Sequence, residues 1–158
     1  MRSYQIFGAM SPDRASAVMS GLSESAPQMF KQALLAASAS MNARPTYLQK
    51  QPFDKQVVAV RRALSRVAAN GVAEELLAVY FLECRKDLLI EWLDLLGIEH
   101  EDGILTADSP VAPEKAELQK SRGTFCGVDD DADRSLLLNA FAAQSAIDWP
   151  DLEALLDS

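Results

Sequence analysis

The chain has 158 residues, 49% of them apolar, with seven each of glycine and proline and a net charge of -8. That length suits one domain with a sizeable core, and the scarcity of β-branched residues beside alanine and leucine favours helices over strands. The negative balance disfavours nucleic acid as an overall partner, no run of about 18 uncharged apolar residues offers a membrane span, and two cysteines make no disulfide framework. With no secretory signal legible after Arg2, the expectation is a cytoplasmic protein whose cysteines stay reduced. The charge is unevenly spread. Residues 1–72 hold nine basic and three acidic side chains, whereas residues 73–158 hold six and twenty.

In chain order, residues 1–10 (MRSYQIFGAM) are expected to form a short strand or an extended arm. Ser11 and Pro12 give an N-cap followed by proline at the first helical position, starting a helix to about Leu22. Ser25 is expected to cap a second helix over 26–42, with Met29, Phe30, Ala33, Leu34 and Ala37 at helical spacing. Pro45 and Pro52 bracket PTYLQKQP, a connector with room for one turn of helix.

Asp54 then opens a helix over 55–69, KQVVAVRRALSRVAA, ended by Asn70 and Gly71. On it Lys55, Arg62 and Arg66 share one side, Val57, Val60, Leu64 and Val67 the other, and Arg61 lies at the boundary. These four basic residues are the candidate binding face. The simplest expectation is that they are solvated, or paired with acids of the same chain such as Glu91, Asp94 and Asp129 to Asp133. Recognition of an external anion is the alternative. A helix-turn-helix around this point is rejected, because the next helix carries Glu74 and Glu75 and then an apolar run, unsuited to a DNA groove.

Residues 72–84 are apolar nearly all round and belong at the centre of the core. Residues 86–96 form an amphipathic helix with Leu88, Leu89, Trp92, Leu93 and Leu96 on one face. Whether 72–96 is one helix or two is open, with Arg85–Lys86 the expected break. Gly97 ends the second segment, and GIEHEDGIL follows with Glu99, His100, Glu101 and Asp102 in succession. His100 is the only histidine. A zinc site needs three or four ligands, which one histidine and two distant cysteines do not supply. Gly97 as a stop and Asp102–Gly103 as a turn signal make this polar stretch a connector first, and a candidate metal or acid/base loop second.

Pro113 opens a helix to about Arg122, and SRGTFCGVDDD is expected to be a loop in which Cys126 is an exposed thiol, Cys84 being a core residue. Asp129, Asp131 and Asp133 occupy the first, third and fifth positions of a calcium loop, but Arg134 stands where glycine is required and Ala140 where a bidentate glutamate belongs. Acids at a helix N-terminus explain the run more simply. A helix from Asp130 or Asp131 to about Gln144 follows, then a short last helix after Asp148–Trp149–Pro150. There is no GxSxG elbow, no glycine-rich phosphate loop and no CxxC pair.

The segments MNARPTYLQKQP, VRRAL, LLIEWLDLLGIEHEDG and WPDLEALL together resemble a group of small bacterial all-helical proteins without an assigned activity, over most of residues 40–158. The resemblance implies a bacterial cytosolic protein and carries over no catalytic residue. The expected fold is all-α, an irregular single-domain bundle of about seven to nine helices spanning 1–158. The expected function is a protein–protein interaction or regulatory module without catalysis, cofactor or metal, binding another protein or its own copy. The alternatives are an enzyme using the His100 loop and a regulator binding an anionic ligand through the basic helix.

Overall fold

Proline and small polar residues decide where the first helices begin. In the computed structural model, which describes residues 1–157, α2 (Pro12–Ser25) starts as expected, with Ser11 Oγ accepting from the Arg14 amide and proline at the first helical position. Ser25 ends α2 instead of capping the next helix; α3 (Pro27–Ser40) starts from Pro27. The opening residues are neither strand nor arm. They form α1 (Ser3–Ala9), because Ile6 and Phe7 are apolar enough to be buried and the amide of Tyr4 finds an acceptor in Asn70 Oδ1, 66 residues on.

Ten α-helices are described, helix accounts for 71% of the chain, and strand is confined to two residue pairs, so the fold is all-α. The count exceeds the sequence expectation because α1 and the single turn α4 (Pro45–Gln49) are helices in their own right. No helix among the described residues is long and apolar enough to cross a membrane.

The chain divides into two compact units, residues 2–84 and residues 85–157. In the first, α5 (Phe53–Leu64) packs Val57, Val60, Ala63 and Leu64 inward against α1, α2 and α3. The basic helix is shorter than expected: it stops at Ser65, Arg66 is extended, and residues 67–69 make one 3-10 turn. Val67, expected inward on a continuous helix, is therefore 65% exposed. Asn70 and Gly71 do not stop a helix but begin α6 (Asn70–Glu83), whose Ala73, Leu76, Leu77, Tyr80 and Phe81 are buried. Gly21 of α2 lets α6 approach closely, since a Cβ there would lie 3.2 Å from the Tyr80 ring.

In the second unit α7 (Lys86–Leu96) is a separate helix, broken from its predecessor at Arg85, and Leu88, Leu89, Trp92 and Leu93 line its buried face. Gly97 caps it in the left-handed conformation, φ 70°. A minimal hairpin follows, β1 (His100–Glu101) and β2 (Ile104–Leu105), turned by Asp102 and Gly103, both at positive φ. Next, α8 (Lys115–Cys126) takes in the first six residues of the segment expected to be a loop, SRGTFC, while residues 127–131 lie between helices as expected. Leu118, Ser121 and Phe125 make a buried helical stripe, and Gly123 sits where nothing approaches its Cβ position. Last come α9 (Ala132–Ala143), capped by Asp131, and α10 (Pro150–Asp157), which docks through Leu152 and Leu155. The core of this unit is an aromatic chain. Trp92 meets Phe125 and Phe141 at centroid distances of 5.4 and 6.1 Å, and Phe141 meets Trp149 at 5.2 Å.

Candidate functional site

The two acidic features singled out in the sequence, the His100 loop and the aspartate run, lie in the second unit. His100 uses both ring nitrogens. Nδ1 accepts from the Gly103 amide at 3.1 Å, which places the ring proton on Nε2, and Nε2 donates to Asp94 Oδ1 at 2.8 Å. The histidine thus closes its own hairpin and pins it to α7. Lys86 holds Asp102 at 2.8 Å, and Glu99 and Glu101 point to solvent.

Asp129, Asp131 and Asp133 of the aspartate run are likewise taken up by arginines. Arg85 binds Asp131 at 2.7 Å, Asp133 at 2.8 Å and Asp87 at 3.3 Å. Arg134, only 7% exposed, binds Asp129 at 2.9 Å, Glu91 and the Phe125 carbonyl, with its guanidinium 4.8 Å from the Phe125 ring centre. Hydrogen bonds from Arg85 and Arg134 hold the Asp87 and Asp129 carboxyls below the usual range. No group of three or more His, Cys, Asp or Glu among the described residues is placed to hold a metal ion. Cys126 ends α8 instead of lying in a loop, and desolvation pushes its thiol up against the opposing pull of Arg122 and Arg134, which disfavours the thiolate.

Glu91, Asp94, Asp129, Asp131 and Asp133, the acids offered in the sequence as partners for Lys55, Arg62 and Arg66, are engaged within their own unit by Arg85, Arg134 and His100. Within residues 2–84, none of Lys55, Arg62 and Arg66 forms an ion pair with a described carboxylate, and all three are exposed. Arg61 leaves the candidate face altogether. It turns toward α1, where Nη2 donates to the Gly8 carbonyl at 3.4 Å and Nε is buried without an acceptor.

The remaining cations border a groove of about 590 Å³ between the end of α3, α4 and the outer face of α5. Leu48, Ala59 and Ala63 form part of its floor, with Met41, Tyr47 and Val58 at its apolar margins. These last three are 48%, 52% and 64% exposed. Lys55, Arg62 and Arg66 line it too, the last from beyond the helix end, with Asp54 the one acid. Gln56 Nε2 donates to the Leu48 carbonyl at 2.9 Å and so ties α4 to α5. A second hollow shares Met41 and Tyr47 and adds Arg44 and Lys50. From sequence alone PTYLQK reads as a connector with room for one turn of helix. The legible signal was Arg44 and Lys50 on either side of an aromatic residue in a segment too short to bury it.

The chain was compared with known protein families, curated proteins and solved structures, and nothing matches.

Proposed function

We propose that this chain is a recognition module without catalytic activity, which binds an anionic partner through the groove between α4 and α5. One observation carries the proposal: three exposed cations with no carboxylate partner in their own unit surround an open, apolar-floored groove. Elsewhere, Arg85 and Arg134 show what this chain does with cations it uses internally, giving each several carboxylate oxygens. Exposed apolar side chains beside exposed charge are the composition of a contact surface with a polar rim. Two free cysteines suit the reducing bacterial cytoplasm that the resemblance implies.

The test is a heteronuclear NMR titration of the full chain with polyglutamate and with heparin. Amide shifts concentrated in residues 40–66 are expected, and their loss in Arg62→Glu/Arg66→Glu. Shifts confined to residues 85–157, or none at all, would refute the reading.

A further inference from the structure

The outer face of α5 has a period. Lys55, Val58, Ala59 and Arg62 stand at i, i+3, i+4 and i+7, so two cations bracket a small aliphatic pair on one stripe of the helix. At 1.5 Å rise per residue the two charged positions are roughly 10 Å apart along the axis. They do not converge on one small anion; they match negative charge spread along a rod.

We propose that the groove docks an acidic amphipathic α-helix of another protein, laid along α5. Its carboxylates stand two turns apart opposite Lys55 and Arg62, and its apolar i+3/i+4 pair sits on Val58 and Ala59. This rests on the anion-binding reading above and narrows it to one class of partner. Ala59 has no side chain beyond Cβ and permits close helix approach, while Met41 and Tyr47 on the facing wall supply an adaptable thioether and a rigid amphipathic ring. A helix laid in a groove and read at i, i+3, i+4 and i+7 is a recurrent way of reading an amphipathic peptide.

Two other occupants fit less well. Single-stranded nucleic acid is held by successive aromatic platforms, whereas Tyr47 is the one aromatic residue lining the groove and the centre of the cationic stripe is aliphatic. A second copy of this chain has less to offer, because the acidic helices α7 and α10 keep Leu88, Leu89, Leu93, Leu152 and Leu155 in the core and expose a single large apolar side chain, Leu95, where the groove calls for a pair.

The experiment is fluorescence anisotropy with the full chain and four labelled probes. One is an alanine-based helical peptide with Glu at i and i+7 and Leu at i+3 and i+4. The second is the same composition scrambled, the third the same pattern with Lys in place of Glu, and the fourth an oligothymidylate. The patterned acidic peptide is expected to bind at least about tenfold tighter than the scrambled peptide or the oligothymidylate. Arg62→Glu/Arg66→Glu is expected to lose that tenfold and to gain affinity for the Lys peptide, which also shows that the variant is folded. Val58→Ser is expected to weaken the patterned peptide while leaving the scrambled one unchanged. Equal binding of patterned and scrambled peptides, or tighter binding of oligothymidylate, overturns the helix proposal and leaves the anion-binding reading standing. Failure of every probe, together with no shift by polyglutamate or heparin in the NMR titration, removes both.

Discussion

Trp92 is fully buried, yet its indole Nε1 has no hydrogen-bond acceptor. Two substitutions separate packing from polarity. Trp92→Ala is expected to cost about 3–5 kcal/mol, the usual loss for emptying a large aromatic site. Trp92→Phe keeps part of the ring volume and removes a buried donor whose desolvation costs about 1–3 kcal/mol, so it is expected to lose far less. Urea midpoints read by circular dichroism check both; equal losses would mean that the indole proton finds an acceptor. Arg85 and Arg134 shape the pH response of the same unit through Asp87 and Asp129. A carboxyl whose folded pKa is depressed, as for Asp87 and Asp129, contributes stability that is complete above the unfolded value of about 4 and is lost as pH falls through the folded value. Stability is therefore expected to decline from just above pH 4 downwards, over roughly the carboxylate range. Arg134→Met is expected to lower stability at neutral pH and to flatten the part of that decline due to Asp129. Acid titration followed by circular dichroism measures both slopes. His100 makes two local hydrogen bonds, so His100→Ala is expected to cost about 1 kcal/mol. Groove binding is expected to be unchanged; a loss of peptide affinity in this variant would return the loop to the candidate sites.

At the level of elements, the legible features were those set by local chemistry. Ser11–Pro12 and Asp131 open helices through their side chains, and Gly97 and Asp102–Gly103 close a helix and turn a hairpin at positive φ. The misread features were those decided by tertiary contacts. Asn70–Gly71 has the local chemistry of a stop, but the Asn70 side chain is engaged by the Tyr4 amide and Gly71 lies inside the first turn of α6. Nothing lies within 4 Å of a Cβ at Gly71. Gly71→Ala is therefore expected to stabilise the protein by about 0.5–1 kcal/mol. At Gly97, where φ is 70°, the same change is expected to destabilise by about 1 kcal/mol. Thermal midpoints moving in opposite directions confirm the two roles. The segment SRGTFC reads in sequence as the start of a loop, yet burial of Phe125 carries the helix through it. The basic face was legible in part. Helical periodicity places Lys55 and Arg62 together, whereas the fate of Arg61 depends on α1, where the sequence suggests a strand or an arm.

Across the whole chain, the division of charge seen in the sequence has a structural counterpart. Residues 2–84 carry nine basic and six acidic side chains, and residues 85–157 carry six and seventeen. The all-α class was legible from composition and period. Which acids meet which cations was not, because Arg85 and Arg134 are two of few basic residues in the acidic half and nothing local marks them as its hubs. The tryptophans and tyrosines are divided more sharply than the charges. Both tryptophans, Trp92 and Trp149, are buried in residues 85–157, whereas Tyr4, Tyr47 and Tyr80 all belong to residues 2–84. The chain is thus spectroscopically partitioned. Emission excited at the red edge of the absorption band comes from one unit alone, while the far-ultraviolet signal sums the helices of both. Superimposable melting curves from the two signals would mark a single cooperative transition. An offset between them would yield the unfolding of residues 2–84 by difference, without cutting the chain or attaching a label.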